Sequence, residues 1–163
     1  MLVAAGIAEN VEDGKARMKR ALESGAGLEK LKEMIAAQGG DAGVCDDVTR
    51  LPQAKYLVPV PAPHDGYVAD MDTTAIGYCA QDLGAGRKQK TDPIDYSVGF
   101  VMHKRIGDEL RPGEAVATVH ASSEESAARA ASEILACLTL SPTPVPRCKL
   151  IHAFVDSDHV ERL

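Results

Sequence analysis

Apolar residues recur at helical spacing through the first fifty positions and at strand spacing beyond them. Val11, Met18 and Leu22 fall along one helix that Asn10 caps, with Asp13 three residues on and Ser24-Gly25 as its stop. Leu28, Leu31 and Ile35 mark one face of a second helix, and Lys30, Lys32 and Glu33 lie largely off it as a solvated face. Gly39-Gly40 closes this helix, because glycine accepts the left-handed backbone of a helix end. The pair predicts apolar faces that need a partner. Residues 46–53, rich in Asp and closed by Pro52, read as a connector.

Beyond the connector, short runs of β-branched and aromatic residues are punctuated by glycine and proline. Leu57 to Val60, Gly66 to Met71, Ser97 to Met102 and Glu114 to His120 are predicted strands. Thr73 or Thr74 caps a short helix running through Ala75, Ile76, Cys79 and Leu83 to a stop at Gly84. A longer helix, Ser123 to Leu138, carries Ala127, Ala130, Ala131, Ile134, Leu135 and Leu138 on one face, with Ser122 or Ser123 as its cap. Ser141-Pro142-Thr143-Pro144-Val145-Pro146 cannot be helix interior, since proline lacks the donor. A final strand, Lys149 to Val155, is expected to rejoin the sheet, and Asp156 to Leu163 to be a frayed polar end.

Composition narrows the class. A chain of 163 residues gives a prior of about one domain, and one of this size buries roughly 70% of its unfolded surface. Aromatics make up 4% and Trp is absent, so the core volume comes from Leu, Ile, Val, Met and Ala. A net charge of −6 with no basic stripe argues against a nucleic-acid partner. No apolar run reaches the length of a membrane span, and no signal-peptide core is present. Cys45, Cys79, Cys137 and Cys148 show neither CxxC nor zinc spacing, and they read as thiols of a reducing cytoplasm rather than as two disulfides. His64, His103, His120, His152 and His159 lack metal-site spacing, so no metal and no cofactor is expected.

The most informative segment is Leu83-Gly84-Ala85-Gly86-Arg87, followed by Asp92-Pro93-Ile94-Asp95-Tyr96-Ser97-Val98-Gly99-Phe100. Its order resembles a segment near the C-terminus of the thymidine phosphorylase family, the pyrimidine-nucleoside phosphorylases. The resemblance continues in register through Met34 to Asp41, Asp65-Gly66-Tyr67-Val68, Met71-Asp72, Ile76-Gly77, Gly107-Asp108, Pro112-Gly113-Glu114 and Val119-His120-Ala121. It implies an α+β fold: residues 51–163 as a hammerhead-like, barrel-sandwich type C-terminal module of short, mainly antiparallel strands with helices, preceded by a helical pair, residues 1–50, that belongs to the larger upstream domain. Met1 to Gly6 is similar to the middle of the family's sequence. Met1 is then an internal methionine, an engineered start or the true start of a split gene.

The family reaction is phosphorolysis of pyrimidine nucleosides to free base and (deoxy)ribose 1-phosphate. The family's phosphate- and base-binding groups lie in its N-terminal part, and no Lys-x-Ser in a glycine-rich setting occurs here. The resemblance therefore implies a chain inactive alone, with no catalytic and no phosphate-binding residue of its own. Its partner is the remainder of the phosphorylase, through which phosphate and nucleoside are met, and the parent is a cytoplasmic homodimer. Gly84, Gly86, Arg87 and Asp95 are the structural loop candidates. The loop could be an anion-binding backbone nest; the simpler reading is a helix C-cap and tight turn, with Arg87 paired to Asp92 or Asp95. A second resemblance, of Pro63 to Val68 and Gly107 to Ala117 to the turns of biotinyl and lipoyl carrier domains, keeps a non-catalytic binding or carrier module as the alternative. Met-Lys-Met and Asp-Lys-Ala hairpins are absent.

Overall fold

The computed structural model describes residues 1–155 and 157–162. The chain divides into two compact units, Met1–Pro52 and Gln53–Leu163. In the first, α1 (Val11–Glu23) begins where the Asn10 side chain accepts the Asp13 amide, and the Asp13 carboxylate accepts the Glu9 amide in return. Helix α2 (Ala26–Ala37) follows after Gly25, and two short 3-10 turns come next, Ala42–Cys45 ahead of the expected connector and Val48–Arg50 inside it. Ala8 is the one buried hydrophobic side chain of this unit, while Val11, Met18, Leu22, Leu28, Leu31 and Met34 are exposed.

The second unit mixes helices with antiparallel sheets. Its elements are β1 (Tyr56–Pro61), β2 (Gly66–Met71), α3 (Thr73–Ala80), β3 (Gly99–Met102), β4 (Glu109–Leu110), β5 (Ala115–Ala121), α4 (Glu124–Ala136), β6 (Leu138–Ser141), β7 (Ala153–Val155) and β8 (Val160–Arg162). One sheet has the order β1-β5-β3, a second β4-β2-β6, and β7 pairs with β8 alone. Pro59 and Pro61 are tolerated because β1 is an edge strand, and a register shift falls at Val60/Pro61.

Both three-stranded sheets feed one core, in which Val60, Val116 and Val119 meet Val68, Leu110 and Ile134. Helix α4 packs on β1 and β5. Ser123 caps it, and Ser123 and Ser126 exchange bonds in a capping box. Ala127, Ala130 and Ile134, three and four residues apart, are its buried stripe.

Four sequence expectations are corrected. Asp72, not Thr73 or Thr74, caps α3: its carboxylate accepts the Ala75 amide at 2.8 Å. Leu138 leaves the helix to open β6, which pairs with β2 from Leu138↔Met71 to Ser141↔Tyr67. The late strand does not rejoin either three-stranded sheet, because Ala153–Val155 pairs with Val160–Arg162. That pairing also places a strand inside the expected frayed end, of which Asp156 and Leu163 lie outside the described residues.

An ion pair ties down the segment between β6 and β7. Arg147 Nη2 donates to Asp108 Oδ1 at 2.7 Å, and Asp108 Oδ2 accepts the Arg105 amide at 2.9 Å. Gly107 makes the approach possible: it has φ +88°, and a Cβ there would meet Arg147 Cγ at 2.8 Å and the Val145 carbonyl at 3.0 Å. The Arg105 amide, with Arg147 and Lys104 as nearby cations, holds the Asp108 carboxyl below the usual carboxylate range.

Replacing fully buried Ile134 by Ala should cost about 2–5 kcal/mol in urea unfolding. Leu57→Ala, at a position 60% exposed, should change stability by about 0.5 kcal/mol or less; equal losses would contradict the assigned core. The Asp108 carboxyl is lowered in the folded state, so its stabilisation is present above the unfolded pKa and lost as pH falls through the folded one. The wild-type advantage over Asp108→Asn should therefore shrink in urea midpoints below about pH 4. A constant difference across that window would exclude the ionised contact.

Candidate functional site

The glycine-containing loop grows out of α3. After Ala80 the helix widens into one π-type turn, Gln81–Ala85, and Gly84 within it has φ +108°, a value L side chains rarely adopt. The loop is then pinned at both ends by apolar anchors, Leu83 and Val98, which reach the core. The Asp95 amide donates to the Gly84 carbonyl at 3.0 Å and closes the loop between them.

Inside the loop, carboxylates are engaged by neighbouring groups. Asp92 Oδ2 accepts the Lys88 amide at 3.1 Å and the Gln89 amide at 2.8 Å. Asp95 Oδ1 accepts the Ser97 hydroxyl at 2.6 Å and the Ser97 amide at 2.9 Å, and these bonds, the hydroxyl's first, lower its pKa. Asp82 pairs with Lys88 at 2.5 Å. The Gln81 side-chain amide donates to the Arg87 carbonyl, and Gly86 sits against Gln81 so closely that a Cβ would lie 3.3 Å from its Cγ.

The structure therefore brings Gly84 and Asp95 together through the backbone, and Gly86 and Arg87 against Gln81. It does not pair Arg87 with Asp92 or Asp95. Both carboxylates accept local amides, and the exposed Arg87 side chain forms no ion pair among the described residues. Gln81 and Asp82 were missing from the sequence reading because their partners lie at i+6, a spacing set by the widened turn and invisible to a regular helical pattern. A depression of about 380 Å³, lined by Thr74, Gly77, Tyr78, Gln81, Ala85 and Gly86, opens on the outer side of this turn. Tyr78 and Tyr96 are both exposed.

A second polar surface lies at the turns flanking β4. Lys104 Nζ contacts Glu114 Oε1 at 2.6 Å and the Glu109 carbonyl at 2.9 Å, and the Glu114 carboxyl is lowered chiefly by that lysine. With His103, Asp108, Arg111 and Arg147 these groups line a depression of about 390 Å³. His103 itself contacts the Thr118 hydroxyl at 2.7 Å. Two ion pairs, Lys104–Glu114 and Arg147–Asp108, order the turns here. Among the described residues no group of three or more His, Cys, Asp or Glu is arranged to hold a metal ion, and no helix is long and apolar enough to cross a membrane.

Gly84→Ala should lower stability by about 1–3 kcal/mol, because the positive φ is strained for any side chain while the space itself is adequate, with Asp95 Cβ at 3.7 Å. Thermal unfolding checks this; an unchanged Tm would mean the turn relaxes without strain.

Residues 67–141, from β2 to β6 and including the whole loop, match the profile of the pyrimidine nucleoside phosphorylase C-terminal domain. The chain is 38% identical over 152 residues to a pyrimidine-nucleoside phosphorylase of Geobacillus stearothermophilus, an alignment covering 93% of the chain and 35% of that relative. It is 43% identical over 125 residues to the pyrimidine-nucleoside phosphorylase of Staphylococcus aureus (strain bovine RF122 / ET3-1), covering 77% of the chain and 29% of the relative. The chain thus spans about a third of the length of the curated relatives it matches. Residues 67–141 belong to the family of pyrimidine nucleoside phosphorylase C-terminal domains.

Proposed function

We propose that this chain is the C-terminal part of a cytoplasmic pyrimidine-nucleoside phosphorylase, a pentosyltransferase, and that it contributes structure rather than catalytic groups. The carrying observation is the match of residues 67–141 combined with identities of 38% and 43% to enzymes of which it spans only about a third. In the reaction, a phosphate oxygen bonds to the anomeric carbon of the nucleoside as the carbon–nitrogen bond breaks. The base leaves with the electron pair and takes up a proton. Such chemistry needs an anion held beside the sugar and charge stabilised on the departing base. The candidate loop is built chiefly to hold its own shape: the carboxylates of Asp82, Asp92 and Asp95 are engaged within it, and Gly84 and Gly86 shape its backbone.

Two features support a division of roles. Residues 1–52 expose Val11, Met18, Leu22, Leu28, Leu31 and Met34 and bury little, as a helical pair does when its packing partner is a larger upstream domain. The two three-stranded sheets of the other unit share one core, which fits a hammerhead-like, barrel-sandwich module. Its role is mechanical: a packed body forming one wall against which another domain closes. The remaining domains of a homodimeric parent supply phosphate and nucleoside binding.

The alternative, a non-catalytic biotinyl- or lipoyl-like carrier, draws on the turns Gly107-Asp108 and Pro112-Gly113 that bracket β4, the turn grammar of carrier domains. A lysine-linked group would add a defined mass to natively expressed protein.

Phosphate-dependent release of base from thymidine and uridine separates the readings. The chain alone should show no turnover, and activity should appear when a separately expressed N-terminal part of a family member is added. Turnover by the chain alone would overturn the placement of the chemistry, and silence of the mixture beside an active full-length control would count against the complementing role.

A further inference from the structure

The first eight residues fold into turns beside α1 and leave a groove there. The Ile7 and Ala8 amides donate to the Leu2 carbonyl at 2.9 Å and 3.2 Å, Gly6 turns the chain at φ +68°, and Ala8 is buried. Met1, Leu2 and Val3 thereby line a groove of about 630 Å³ whose other side is α1. The helix contributes Val11, Lys15, Met18 and Leu22, spaced four, three and four apart, a single stripe roughly 16 Å long. That spacing is the seam which a second helix fills with its own side chains. Val11, Met18 and Leu22 make the stripe apolar and are exposed, and exposed Lys15 interrupts it. The ion pairs along α1 join Arg17 to Asp13 and Lys19 to Glu23, and Lys15 is in neither.

We propose that this groove receives one amphipathic helix from the upstream part of the parent enzyme, with apolar side chains seated along the stripe and an Asp or Glu paired to Lys15; this rests on the placement of the chain as the C-terminal part of a phosphorylase. Two observations select that occupant. The matched domain is the C-terminal one, and the greater part of each relative lies outside the alignment. The further chain of such an enzyme enters at Met1, which itself lines the groove. The second observation is the charge. A cation covered by apolar surface is costly unless a carboxylate meets it, so Lys15 selects an acidic position on its partner and fixes the register of the helix that carries it. A second copy packing α1 against α1 would bring another Lys15 into the seam and no carboxylate, because the stripe holds none.

The test titrates the full chain against the separately expressed part of the Geobacillus stearothermophilus relative that lies upstream of the aligned 152 residues. Calorimetry reads binding, and release of base from thymidine and uridine is followed in the same mixtures. Lys15→Glu and Leu22→Glu should each weaken binding about tenfold or more. Both should leave the Tm of the chain unchanged, since both side chains are exposed. With p-benzoylphenylalanine in place of Met18, light should join the chain to a helical segment of the upstream part that carries Asp or Glu. Unchanged affinity in either variant, a cross-link to a segment without a carboxylate, or a cross-link between copies of this chain would each overturn the docking site, while base release by the mixture would still uphold the C-terminal placement. A mixture that neither binds nor releases base would overturn the placement and the docking site together.

Discussion

The fold depends on β5. It pairs with β1 on one side and β3 on the other, and its residues Val116, Ala117, Val119 and Ala121 are fully buried. A strand covered in this way needs small or compact side chains on both faces, and Ala-Val-Ala-Thr-Val-His-Ala supplies them. The same constraint reaches α4, where Ala127 and Ala130 allow the helix close to the sheet and Ile134 fills the remaining volume. With few aromatics available, tight approach of backbones stands in for bulk.

That core also holds the glycine-containing loop in place. Leu83 and Val98 are seated in it, so the loop's two ends are fixed before its middle is built. The middle is then satisfied locally: Asp92 serves two amides, and Asp95 serves one amide and one hydroxyl. A carboxylate whose acceptor sites are held in this way has its pKa lowered and stays ionised, as Asp95 does; it suits a turn better than a proton relay.

The sequence was legible where one local rule decided the outcome. Asn10 and Ser123 are caps with their partner three residues on, and the strands about Gly66 to Met71 and Glu114 to His120 are bounded by turn residues. It misled where tertiary pairing won. Leu138 continues the apolar stripe of α4 by spacing, yet the edge of β2 draws it into β6. Lys149 to Val155 reads as a returning strand, but β6 already occupies the position beside β2, and Ala153–Val155 pairs with a later strand. Arg87 near two aspartates suggests a pair, whereas backbone amides a few residues away reach those carboxylates first.

The two units differ most in what they bury. Residues from 53 onward close a core of β-sheet and helix residues that leaves their polar groups paired at the surface, as Lys104 with Glu114 and Arg147 with Asp108 do. Residues 1–52 satisfy their helix ends and pair their charges, Lys32 with both Glu29 and Asp46, yet Met18, Leu22 and Met34 remain at least half exposed. Local polar contacts are thus made in both units, while a cluster of buried hydrophobic side chains forms in only one. Since burial is the dominant favourable term in folding, the exposed apolar side chains of the first unit's helices are the physical ground for the proposal that they pack against further apolar surface.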